Sequence, residues 1–314
     1  MALKLPLPKI DKRGVALAQA RFSAWWQGAD FDPAAAAAEI DAKLAADAAN
    51  DPGAEGDLFK LDAPPFDLRL DALQRIWGEG RVFPADAAVE ATLPTRLGLS
   101  TTASLAVFGP GLVAPLQAFA TTHLGEMKVY EWREETHALL RYGVAKAGLD
   151  KRASVATVDL ETFSPPVGSL DGVISCDEFT YADNGPRLAQ QIAKALKPKA
   201  SAVIDCYAAL PGGDLSSAFA TSFLEPHLRA AGDIAGYFSE AGLTVAANDD
   251  VTEEHLAAAR EGFKRLADAL ASGAPLQPGA GRELAWEAEA WRTRMKLLAT
   301  RRLERRRILV TRPE

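Results

Sequence analysis

The chain has 314 residues, 48% of them hydrophobic, which is enough to bury a full core and too few to force more than one or two domains. A formal charge of −7 argues against broad attraction to nucleic acid or anionic lipid, although the last turns are locally basic. The opening MALKLPLPKIDKRG is too short and too broken by proline and lysine for a secretory signal, and no run approaches a membrane span, so a cytoplasmic location is expected.

Helix is expected first. Val15 to Trp26 is amphipathic, and Pro33 opens an alanine-rich run to Ala49, where alanine favours helix and proline suits a first turn. The cluster Arg21-Phe22-Ser23-Ala24-Trp25-Trp26 is expected to dock this region on the rest of the protein, with the cap of a ligand pocket as the alternative. Asn50 to Pro65, with Asp-Pro, Gly-Ala-Glu-Gly and Pro-Pro, reads as a linker or surface loop, and Leu68 to Trp77 as another helix. Residues 1–95 are thus assigned to an N-terminal helical extension and 96–314 to an α/β domain.

From Thr101 the pattern becomes short apolar strands alternating with helices, as in a parallel sheet covered on both faces. Seven strands are predicted, at 105–108, 128–131, 154–158, 171–176, 201–207, 243–248 and 306–311. Helices are predicted at 115–123, 134–147, 186–196 and 233–241, with a longer one capped by Thr252. The first strand ends in Gly109-Pro110-Gly111, and the second ends in Glu131 about twenty residues later. Glycines let the backbone turn sharply beside a ligand, and a carboxylate at the next strand tip can accept both hydrogen bonds of a ribose diol.

Cys176 and Cys206 each sit near the end of an apolar run with no His cluster nearby, so buried thiols are expected and no metal site. His123, His137, His227 and His255 are candidates for a base, but each lies on a helix or helix edge, so surface or packing imidazoles are expected. Asp177, Glu178 and Tyr181 follow the fourth strand, where ligands collect in such sheets, and are candidates for the acceptor side of a site. The arginines of Trp291 to Arg312 are expected mostly on a solvated helix and strand-edge face, with binding to an anionic partner or lipid surface as the alternative.

These pieces, with a last strand returning from a long insertion, resemble a class I S-adenosylmethionine-dependent methyltransferase over about Leu73 to Pro313. Trp77-Gly78-Glu79-Gly80 is similar to the Gly-x-Gly segment that precedes the core in small-molecule enzymes of the sterol and phosphoethanolamine type. Ser169 to Ser175 (SLDGVIS) is similar to the family's fourth motif, and Ala195 to Asp205 (ALKPKASAVID) to its LKPGG turn and fifth strand. The resemblance implies a Rossmann-like sheet of order 3-2-1-4-5-7-6 with an antiparallel last strand. Cys176 and Cys206 then fall on neighbouring strands.

It also implies S-adenosylmethionine as cofactor and methyl transfer to a small-molecule substrate. Gly109 and Gly111 correspond to the turn under the methionine part, Glu131 to the ribose acid and Asp159 to the acid that meets the adenine amino group, with Trp132 placed to lie on the adenine face. Val107 and Val113 stand where the family carries an acid and a small residue, and Lys199-Ala200 where it carries glycines. A β-branched Val113 at the point of closest approach is expected to remove space from the cofactor site. The alternative function is therefore a catalytically inactive methyltransferase-like protein serving as a binding or regulatory module.

Overall fold

The computed structural model describes residues 31–49, 68–109, 111–210 and 227–314, with scattered positions between 13 and 24. Trp25 and Trp26, and with them the expected docking contact, lie outside the described residues. The chain divides into two compact units, Met1–Lys60 and Leu61–Glu314. In the first, helix α1 (Pro33–Ala49) begins where predicted. Asp32 Oδ1 accepts the free backbone N–H groups of Ala34 and Ala35 at 2.8 and 3.2 Å, and Asp41 pairs with Arg13 at 2.7 Å.

The second unit is a seven-stranded sheet in the order β3-β2-β1-β4-β5-β7-β6. Its strands are β1 (Leu105–Phe108), β2 (Met127–Glu131), β3 (Ala153–Thr157), β4 (Leu170–Cys176), β5 (Leu196–Ala209), β6 (Thr244–Asp250) and β7 (Leu303–Thr311). All neighbours pair in parallel except β7, which runs antiparallel to β5 and β6. The expected order and the antiparallel last strand are both present.

Two short helices, α3 (Ala87–Glu90) and α6 (Glu178–Tyr181), precede β1 and follow β4 in the chain. Alternation sorts the strand side chains into two cores. On one face, Val107, Val129, Ile174 and Val203 meet Leu116 and Phe119 of α4 (Val113–Thr122) and Leu140 and Val144 of α5 (Glu134–Lys146). On the other, Ala106, Phe108, Val173 and Ile204 meet Leu188 and Ile192 of α7 (Gly185–Ala195) and Ile234 and Phe238 of α8 (Ala231–Glu240). Between β3 and β4 no helix forms among the described residues. Phe163 from that loop instead packs edge-on against Phe108 and Tyr130, at ring centroid distances of 5.0 and 5.2 Å.

The insertion between β6 and β7 forms two long helices, α9 (Thr252–Ala271) and α10 (Ala280–Ala299), which pack with α2 (Leu68–Trp77). The indoles of Trp77 and Trp291 lie 4.9 Å apart and both donate to Glu287 Oε1, at 3.2 and 2.9 Å, while Arg69 pairs with the same carboxylate. A buried carboxylate is tolerable there because its charge and lone pairs are satisfied. Thr252 was expected to cap α9 but is its first residue. Asp250 Oδ1 accepts the Thr252 N–H at 2.9 Å, and the threonine hydroxyl accepts the Arg305 N–H at 3.0 Å. Among the described residues no helix is long and apolar enough to cross a membrane.

One expectation about the last strands needs correction. Because β7 lies between β5 and β6, it is not an edge, and Arg305 and Arg307 are buried rather than solvated. Cys176 and Cys206 are buried and unpaired on adjacent strands, yet Cys176 is in register with Asp205, so the two thiols face opposite cores across the sheet. That separation by the sheet keeps them from forming a disulfide.

Candidate functional site

Strand order reverses between β1 and β4, the place where a doubly wound sheet opens a crevice at its carboxyl ends. Gly109 and Gly111 turn the chain there with φ of +114° and +71°, values that disfavour any side chain. Space excludes one as well. A Cβ on Gly109 would lie 2.7 Å from the carbonyl oxygen of Cys176, and one on Gly111 would lie 2.9 Å from that of Gly80. Gly109 and Gly111 therefore bring the backbones of Cys176 and of Gly80-Arg81 close to the turn at the switch point.

Glu131, at the tip of β2, is fully buried. Its Oε1 accepts the Arg133 N–H at 2.9 Å, with Arg133 Nε at 3.6 Å, while Oε2 has no hydrogen-bond partner. Next to it, the buried Nε1 of Trp132 also has none. The Trp132 ring lies 5.4 Å from that of Tyr181, and the Arg133 guanidinium sits 5.4 and 5.2 Å from the two ring centroids. Asp159 is exposed, and its oxygens close a local turn by accepting from Glu161 N at 2.9 Å and Thr162 Oγ1 at 3.1 Å. Val107 is buried in the apolar core. Val113 points its Cγ2 into the space beside Gly143 of α5, where a Cβ would come within 2.8 Å.

Beyond β4 the chain turns through Asp177, which holds a left-handed φ of +71° without being glycine. Its carboxylate pairs with the buried guanidinium of Arg305 on β7, whose Nη2 also lies 3.0 Å from Cys176 Sγ. Glu178 is fully buried, with Oε1 accepting from Ser175 Oγ and Oε2 unpartnered. Burial, reinforced by Asp177, pushes its carboxyl well above the usual range. Sequence reasoning thus places Gly109, Gly111, Glu131, Trp132, Asp177, Glu178 and Tyr181 around the crevice ends of β1, β2 and β4, while Asp159 spends both oxygens on its own loop.

A cleft adjoins the glycine turn through Leu112 and runs over the ends of β4, β5 and β7. Its floor carries Cys176, Asp205, His255, Arg305 and Arg307. Arg307 grips Asp205 through two bonds of 2.9 and 2.7 Å and reaches Glu254 at 3.0 Å. Tyr207 Oη and His255 Nε2 share a 2.7 Å hydrogen bond, and Arg305 lies 4.6 Å over the tyrosine ring. The sequence analysis missed this cluster. Its signal is present: Asp205 interrupts an otherwise apolar strand, and Arg305 and Arg307 stand two apart on one face of β7.

Burial, and after it the charges of Arg305, Arg294 and Arg307, hold the His255 imidazole well below its ordinary range, so it is neutral in the folded protein. The unfolded chain protonates this residue below about pH 6.5, so the stability that neutral His255 contributes is present above that pH and lost as pH falls. The raised Glu178 carboxyl has the opposite slope, which a comparison of variants removes. In urea titrations, His255→Gln should gain on wild type by about 1.4 kcal/mol per pH unit below pH 6.5. Parallel stability curves for the two proteins would mean that His255 is charged in the fold.

No protein-family model matches the sequence, and no curated sequence does. Solved structures do match. A proposed sarcosine dimethylglycine methyltransferase from Galdieria sulphuraria superposes with a TM-score of 0.65 at 14% identity, covering 79% of this chain and 99% of its own. Phosphoethanolamine N-methyltransferase 2 of Haemonchus contortus, in complex with S-adenosyl-L-methionine, gives 0.65 at 19% identity, covering 84% of this chain and 62% of that one. The [4+2]-cyclase SpnF gives 0.62 at 14% identity, covering 78% and 93%. A cyclase among these neighbours means the architecture does not fix the reaction. In strand order, in the direction of its last strand and in its glycine turn at the switch point, this chain has the fold of the class I S-adenosylmethionine-dependent methyltransferases.

Proposed function

We propose that this protein binds S-adenosylmethionine over the carboxyl ends of β1 and β2 and transfers its methyl group to a small molecule held in the adjoining cleft. One observation carries the reading: the buried Glu131 carboxylate commits one oxygen to the backbone and leaves the other without a donor, beside a turn that only glycine can make. An unpartnered buried carboxylate oxygen costs several kcal/mol of lost solvation, roughly, and a ribose diol supplies the donors it lacks. Gly109 and Gly111 let the backbone approach the methionine part, Trp132 offers an aromatic face and an unpartnered N–H, and Asp159 marks the adenine end.

The sulfonium of the bound cofactor activates the methyl group, so the protein's task is alignment. The cleft floor is fixed by paired charges, Arg305 with Asp177 and Arg307 with Asp205, which orients an acceptor without freely rotating groups. Asp177 and Tyr181 bound the acceptor side. The inactive-module reading draws on Val107, which puts an aliphatic side chain where the family has an acid.

Calorimetric titration with S-adenosylmethionine and S-adenosylhomocysteine tests the proposal, and both should bind. Val113→Gly should gain no affinity and should lose about 1 kcal/mol or more of stability, because it empties the space beside Gly143 and adds glycine to a helix. If wild type and Val113→Gly are both folded and neither binds, the inactive module is the better account.

A further inference from the structure

Among the remaining buried polar atoms without partners, two belong to segments that meet the glycine turn, one at Gly111 and the other at Gly109. Arg81 Nη1 is one, with Nη2 of the same guanidinium held by Glu90 at 2.5 Å. Glu178 Oε2 is the other, with Oε1 held by Ser175. A Cβ on Gly111 would fall 3.2 Å from the Cα of Arg81, and a Cβ on Gly109 would fall 2.7 Å from the carbonyl oxygen of Cys176, two residues before Glu178. Each side chain is thus anchored at one end and free at the other. The free ends are opposite in kind, a guanidinium donor and an oxygen of a carboxyl group, carried by the two segments that touch one backbone turn.

That pairing matches a zwitterion. Resting on the function proposed above, we infer that Arg81 and Glu178 form the socket for the amino-acid end of the cofactor, Arg81 donating to its carboxylate and Glu178 accepting from its ammonium. Glu178 then supplies the charge that β1 cannot. Val107 is aliphatic and faces the apolar core, whereas Ser175, which holds Glu178, is in register with Phe108 at the end of β1.

In the free protein the Glu178 carboxyl holds its proton more tightly than an ordinary carboxyl group does. It is fully buried, Asp177 beside it and Asp205 on β5 disfavour a further negative charge, and Arg305 on β7 opposes them more weakly than burial acts. An ammonium arriving against Oε2 reverses the balance, so binding at neutral pH releases a proton from the carboxyl group to the buffer. The binding enthalpy then depends on the ionisation enthalpy of the buffer.

The test uses calorimetry in two buffers of different ionisation enthalpy with two probes. S-adenosylhomocysteine carries the amino-acid end, and 5′-methylthioadenosine keeps the nucleoside without it. Wild type should release up to one proton with the first probe and none with the second. Glu178→Gln should abolish the release and weaken S-adenosylhomocysteine about tenfold or more, the scale of a charge-assisted hydrogen bond. Arg81→Lys, which keeps a cation beside Glu90 but not the fork, should weaken the same probe. Methylthioadenosine should bind both variants as it binds wild type, which also shows them folded. Equal loss for both probes would make Glu178 a structural residue, and unchanged S-adenosylhomocysteine binding would remove it from the socket. Either result overturns the inference while leaving the function standing. Wild type that binds neither probe overturns both.

Discussion

Alanine in place of Glu131 should weaken S-adenosylmethionine binding by about 1.5 to 3 kcal/mol, roughly 10- to 150-fold, the scale of hydrogen bonds to a charged group. The residue is fully buried at the tip of β2, with Oε2 unpartnered, so a ligand diol exchanges no protein bond for the new one. Unlike the socket variants, Glu131→Ala should weaken methylthioadenosine by the same factor, because the ribose is common to both probes. Asp159→Ala should do less. Its carboxylate is exposed and already accepts from Glu161 and Thr162, so any adenine contact is shared and solvated. Titration calorimetry on the two variants reads both effects, and a larger loss at Asp159 would place the nucleoside differently.

Methionine at Arg305 should cost about 3 to 5 kcal/mol of folding stability, as expected when one partner of a buried ion pair is removed. The guanidinium pairs with Asp177, touches Cys176 Sγ and covers the Tyr207 ring, so its loss strands a carboxylate in a turn already held at a left-handed φ. The double variant Asp177→Asn with Arg305→Met should recover much of the loss, since no charge is left unpaired. Urea denaturation of the two single variants and the double measures the coupling. Simple additivity would show that the pair does not act as a unit.

The sheet was legible because its signals are local. Four- to seven-residue apolar runs with turn residues between them specify buried strands, and Gly109 and Gly111 announce a left-handed turn in their own composition. The order of strands came through motif spacing, from Trp77-Gly78-Glu79-Gly80 to the fifth strand. Glu131 could be singled out for the same reason, as an acid ending an apolar strand a fixed distance beyond the turn.

Other features depend on which residues the fold brings together. Arg305 and Arg307 read as solvated from a run of basic residues, and they are buried because β7 inserts between β5 and β6, placing them against Asp177 and Asp205 about a hundred residues earlier in the chain. Val113 read as an obstacle at the turn, yet its side chain goes to Gly143 on the next helix. Glycine at 143 carries no sign of that pairing. The sequence by itself determined the strands, the turn and the acid, since backbone preference and hydrophobic period act over a few residues. Tertiary structure decided which charges are paired and which buried polar atoms remain free, because desolvation depends on neighbours that are distant in the chain.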